Sequence, residues 1–106
     1  MANAIIKKAY DQLLTLGIDA LDNRYVAVDP NFTSLFMNSK SQFDDQKHIL
    51  GQVTGALEIS LPLERAILST YADAGVQNWH ERGLDFSWTY HAERGMRLSV
   101  LVSKTN

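Results

Sequence analysis

Three histidines, His48, His80 and His91, are the only imidazoles of this chain and the first place to look for chemistry. Metal binding needs two or more ligands at helical i, i+4 spacing or on adjacent strands, and none of the three forms such a pair locally. His48 follows Asp44, Asp45 and Lys47 and reads as solvated, while His91, near Glu93, reads as a surface residue close to a hairpin tip. Serine, histidine and aspartate are all present, but no Gly-x-Ser-x-Gly elbow frames a nucleophile, and no glycine-rich loop could cradle a phosphate. Asp44-Asp45 reads as a polar turn rather than a catalytic pair. Cysteine is absent, which removes disulfides, thiolate metal sites and cysteine nucleophiles and is compatible with a reducing cytoplasm. The expectation is a non-enzymatic protein with no catalytic residues, no metal ligands and no cofactor that the sequence requires.

The elements that would carry any other function come from one domain spanning residues 1–106. An apolar fraction of 45% and a charged fraction of 21% describe a globular chain, since both leave enough hydrophobic surface for a core. A net charge of −2, with both signs intermixed, argues against direct nucleic-acid binding. No apolar run approaches a membrane span or a secretion signal, so the expected location is the cytoplasm.

Residues 3–16 place Ile5, Ile6, Ala9, Tyr10, Leu13, Leu14 and Leu16 on a broad helical stripe, and Gly17 sits where a left-handed terminator belongs. Two short runs, Ile18 to Leu21 and Arg24 to Val28, flank Asp22-Asn23 and read as a small hairpin. Asp29 and Pro30 then fit the N-cap and first position of a short helix whose face carries Phe32, Leu35 and Phe36. A second helical segment reaching Leu57 would bury Phe43, Ile49, Leu50, Val53 and Leu57, although Gly51 and Gly55 weaken it unless they allow close packing. Ser60 caps a clearer helix with Pro62 in its first turn, a stripe of Leu63, Ile67, Leu68 and Tyr71, and Gly75 at its end.

The last third is strand. Val76 to His80 forms a short one. Leu84, Phe86, Trp88 and Tyr90 alternate with polar residues, and Met96, Leu98, Val100 and Val102 make the matching face. Residues that pair across a hairpin share a face, so the even-numbered positions must oppose one another. A three-residue loop Glu93-Arg94-Gly95 achieves this by pairing Tyr90 with Leu98 and Trp88 with Val100, with Gly95 as its left-handed residue.

The stretch Asp22-Asn23-Arg24-Tyr25-Val26-Ala27-Val28-Asp29-Pro30-Asn31-Phe32-Thr33-Ser34-Leu35-Phe36 resembles the second strand and first helix of a PAS domain. Members of that family commonly show an Asp-x-x-Arg turn, a β-branched strand, Asn-Pro or Asp-Pro, then Phe and Leu-Phe on the following helix; the corresponding residues here are Asp22, Arg24, Val26, Val28, Asp29-Pro30, Phe32, Leu35 and Phe36. By layout the resemblance covers residues 17–103. It implies an α+β fold: a five-stranded antiparallel sheet of order 2-1-5-4-3 with short helices on one face. The N-terminal helix, 1–16, would lie outside, against the back of the sheet or a second subunit.

The resemblance implies a sensory or regulatory module of a signalling protein or transcription regulator, acting by dimerisation and possible small-ligand binding. Phe32, Phe36, Trp88 and Tyr90 are the candidates for lining a ligand pocket, with core packing as their simpler role. Haem ligation by His48 is disfavoured by its polar surroundings, and adduct-forming flavin chemistry is excluded without cysteine; a non-covalent small ligand remains compatible. The stripe of the first helix is wider than a single packing contact needs, so Ile6, Tyr10, Leu13 and Leu14 are candidates for a homodimer interface. A free-standing interaction module that antagonises a regulatory protein partner, such as a transcription factor, is the alternative from another class.

Overall fold

A computed structural model describes residues 2–22, 25–39, 49–91 and 95–103. The chain runs α1 (Ala2–Thr15), β1 (Val26–Val28), β2 (Ser34–Ser39), α2 (Ile49–Leu57), α3 (Leu61–Leu68), β3 (Gln77–Glu81), β4 (Leu84–His91) and β5 (Gly95–Val102). The strands form one sheet of order β1-β2-β5-β4-β3 in which every neighbour is antiparallel. The α+β class and five antiparallel strands match the expectation; the order 2-1-5-4-3 does not.

The difference originates at Asp29. Its carboxylate accepts the amide hydrogens of Thr33 (2.6 Å) and Ser34 (2.8 Å) and the Thr33 hydroxyl (2.7 Å), which is the capping chemistry expected there. The chain reverses instead of winding. Phe32 donates its amide to the Asp29 carbonyl and adopts φ +57°, a left-handed conformation that ends any helical path. Residues 34–39 are therefore a strand, and β5 takes β2 as its neighbour over six residue pairs, from Ser34↔Leu101 to Ser39↔Met96. Ile18 to Leu21 is not a strand. The Asp19 carboxylate holds the Leu21 amide (3.0 Å) and the Asp19 carbonyl holds that of Asp22 (2.8 Å), a local turn that competes with ladder pairing. Asn23 and Arg24 of the proposed turn lie outside the described residues.

The helices are set by their stripes and caps. In α1, Ile6, Ala9 and Leu13 are buried, and the helix closes at Gly17 (φ +84°) through Ile18 N–H to Leu13 O and Gly17 N–H to Leu14 O. In α2, Leu50, Val53 and Leu57 are buried; Phe43 and the acidic turn before it lie outside the described residues. Gly51 and Gly55 do not permit a close approach, because a Cβ at either would meet no atom within 4 Å. In α3 the Ser60 hydroxyl accepts the Leu63 amide, and Leu63 and Ile67 are buried. This helix stops at Leu68 rather than near Gly75, and Tyr71, expected in its buried stripe, is 74% exposed. The reason is a long-range bond: Thr70 turns inward, where its hydroxyl accepts the Trp88 indole N–H at 2.8 Å.

The β4–β5 hairpin keeps the expected parity with a different register. Trp88 pairs with Leu98, Tyr90 with Met96 and His91 with Gly95, two residues displaced from the expected pairing. Gly95 has φ +83° as expected, but it stands in the strand opposite His91, and Ala92, Glu93 and Arg94 lie outside the described residues.

All three helices cover the same face. The inward residues Val26, Val28, Leu35, Met37, Leu84, Phe86, Trp88, Met96, Leu98 and Val100 form one cluster with Ile6, Ala9, Leu13, Leu50, Val53, Leu57, Leu63 and Ile67. The expectation that α1 lies on the back of the sheet is corrected here: α1 packs beside α2, and Lys8 bonds Glu58 at 2.9 Å across them. The clamp between α3 and the sheet is Glu81. Its carboxylate accepts the Ser60 amide (2.9 Å), the Ser60 hydroxyl (2.6 Å) and the Trp79 indole N–H (2.9 Å).

Burial alone would raise the Glu81 pKa, but the hydrogen bonds from Ser60 and Trp79 outweigh it and hold the carboxyl below its ordinary value. Asp29 is lowered in the same way, burial being overcome by the Thr33 hydroxyl and by backbone amides. A carboxyl lowered in the folded state stabilises fully above its unfolded pKa, and that contribution is lost as pH falls through the folded one. The urea midpoint should therefore fall between about pH 5 and about pH 3, and the fall should be shallower in Glu81→Gln. An unchanged pH profile in that variant would contradict the clamp. Two glycine substitutions should move stability in opposite directions in thermal melts. Gly55→Ala, in an exposed helix interior, should gain about 0.5–1 kcal/mol, and Gly95→Val, at positive φ, should lose about 1 kcal/mol or more.

Candidate interaction surface

With the helices on one side, the opposite face of the sheet has no covering element among the described residues. Four rows cross it, the shortest of them His91 opposite Gly95. One runs Ser34, Leu101, Asp85, His80; the next Ala27, Phe36, Ser99, Ser87, Asn78; the third Asn38, Arg97, Thr89. The centre is small and polar, with two serines facing each other on β4 and β5. Phe36 is 46% and Leu101 45% exposed, and together with Ala27 they make an apolar corner. Beside the sheet, Val76 is 64% exposed. A shallow depression of about 320 Å³ lies between them, with Phe36, Val76, Ser87, Thr89, Arg97 and Ser99 among its lining residues. His80 Nδ1 lies 2.6 Å from Asp85 Oδ1 at the β3 side, and Arg97 is exposed with no hydrogen-bond or ion-pair partner among the described residues.

The four ligand-pocket candidates do not converge. Phe32 sits on the β1–β2 turn, its ring 5.5 Å from that of Tyr10 and 5.6 Å from the Lys7 ammonium. Phe36 points out of the uncovered face. Trp88 is buried on the helix side, and Tyr90, half-buried beside it, pairs with Met96. The indole of Trp88 donates to Thr70, and the Thr70 hydroxyl donates in turn to the Ala66 carbonyl (2.8 Å), so this ring is held by a satisfied polar relay within the core.

The association candidates divide as well. Ile6 and Leu13 are completely buried within the chain, Tyr10 is half-buried with its hydroxyl on Asp19 (3.2 Å), and Leu14 alone is exposed, at 42%. Leu16 and Leu21, beyond the end of α1, are exposed as well, at 48% and 51%. His91 Nδ1 lies 2.9 Å from Asp73 Oδ1, and His48 lies outside the described residues. Among the described residues no group of three or more histidine, cysteine or acidic side chains could hold a metal ion, and no helix is long and apolar enough to cross a membrane.

The uncovered face had a signal in the sequence. Leu35-Phe36-Met37 and Val100-Leu101-Val102 are apolar triplets where a one-sided strand would alternate. In each, the middle residue is the one that faces outward.

Trp88→Phe should lower stability by roughly 1–3 kcal/mol in urea melts, because it removes the donor to a buried hydroxyl. A neutral result would contradict the relay. Comparisons with protein-family models, with curated proteins and with solved structures found no match, so the functional reading rests on the geometry of this face.

Proposed function

We propose that this chain is a non-catalytic regulatory module that works by association, and that its working surface is the uncovered face of the sheet. One observation carries the reading: three helices seal one face, while the other exposes Phe36 and Leu101 beside a polar centre. An antiparallel sheet can leave one face to water, and that face is then commonly polar. Large apolar side chains at its corner favour a partner.

The sheet edges are poorer docking sites than the face. β1 is three residues long and its Val28 amide is taken by the Ala20 carbonyl, while β3 presents Asn78 and His80 and is tied to Ser60 through Glu81. The regulatory part of the reading comes from the PAS resemblance, whose expected cavity aromatics lie here on different surfaces; association needs no such cavity.

The test is a double variant, Phe36→Asp with Leu101→Asp. Both positions are nearly half-exposed, so the variant should lose roughly 2 kcal/mol or somewhat more, with native spectra showing that the fold survives. Association, read by light scattering for self-assembly and by affinity capture for other partners, should be lost. A variant that associates as the wild type does, or a wild type that associates with nothing, overturns the proposal.

A further inference from the structure

The partner of this face can be named from its charges, in an inference that rests on the association reading. We propose that it packs against the same face of a second copy, about a two-fold axis between Ser87 and Ser99 that lays Arg97 of each protomer over Asp85 of the other.

Arg97 and Asp85 are the one cation and the one carboxylate among the described strand residues of this face, its histidines apart. The register Asp85↔Leu101, Ser87↔Ser99, Thr89↔Arg97 puts them on adjacent strands at opposite ends of the serine pair. With a strand spacing of ~4.8 Å and a rise of ~3.4 Å per residue, they are roughly 14 Å apart. An isologous interface requires each surface to complement itself. One two-fold that exchanges these two positions makes two reciprocal ion pairs. Arg97 then gains a partner, and Asp85 keeps its second oxygen for the incoming guanidinium while the first holds His80.

The same axis can be checked for handedness. The Ser103 amide bonds Gly83 and the Val102 amide bonds Thr33, so the odd residues of β5 direct their peptide groups to β4. An L-residue that points its side chain at the viewer on an ascending strand directs its N–H and C=O to the right, so β4 lies to the right of β5 on this face. The axis that exchanges Arg97 with Asp85 then crosses the two sets of strands at roughly −40°, near the −30° of aligned sheet pairs and of the same hand. It also passes beside Phe36, so the Phe36–Leu101 corner of one copy meets the corner of the other.

The face is about 24 Å by about 20 Å, at the low end of stable interfaces, so the dimer should dissociate on dilution.

Sedimentation equilibrium between about 10 μM and about 1 mM should show the mass of the wild type rising toward two chains. Arg97→Glu places Glu opposite Asp85, and Asp85→Lys places Lys opposite Arg97; each alone should weaken the dimer at least about tenfold. An equimolar mixture of the two variants should dimerise again, as should the double variant R97E/D85K. Both sites are exposed, and native spectra of each variant confirm the fold. Single variants that dimerise like the wild type, or a mixture that does not, overturn the two-fold. A wild type that stays monomeric throughout, while the Phe36 and Leu101 variant loses a captured partner, overturns the self-pairing and leaves the association reading standing.

Discussion

The two-residue period of the β pleat governs this molecule. Successive side chains must point to opposite sides of the sheet. In β4 and β5 the even positions are apolar without exception: Leu84, Phe86, Trp88 and Tyr90 against Met96, Leu98, Val100 and Val102. Those rows demand a cover, and α1, α2 and α3 together provide one, on the same side. The second face is left without a helix among the described residues.

The cover is held by a few polar contacts that join elements distant in sequence. Glu81 reaches from β3 to the cap of α3, Thr70 meets the Trp88 indole, and the Arg82 guanidinium, at the β3–β4 turn, bonds the Leu57 carbonyl at the end of α2. Apolar contact is non-directional and would tolerate sliding of short helices over the sheet. Hydrogen bonds between partly buried groups fix their position, since an unpaired partner would be costly. The order on the helix side leaves the other face as a defined platform with serines at its centre and an apolar corner.

What could be read from residue order alone divides along the same lines. The α1 stripe, the Ser60 cap and the β4 and β5 alternation are local patterns with one solution each. Leu35-Phe36-Met37 is not, because three apolar residues in a row satisfy a helix stripe and a strand equally well. Its outcome depends on β5, some sixty positions later, needing a neighbour. The hairpin register failed for a related reason: a slip of two residues preserves parity, so the burial pattern cannot distinguish the alternatives. Phe36 and Leu101 were visible as apolar residues but not as outward ones until the sheet order was known. The early end of α3 at Leu68 was hidden in the same sense, since Thr70 is drawn inward by an indole eighteen residues away.

On the proposed reading, a small sheet with one helix-covered side and one open side serves as a scaffold for reversible assembly. The helices supply stability, and the open side is free to vary without disturbing the core. The most direct examination of this division is a dilution series of amide spectra from about 1 mM to about 10 μM. Changes confined to Phe36, Ser87, Arg97, Ser99 and Leu101 and their strand neighbours, with α1 to α3 unmoved, are the predicted result. Changes centred on Leu14 and Leu16 would contradict it, and none at any concentration would contradict the self-pairing.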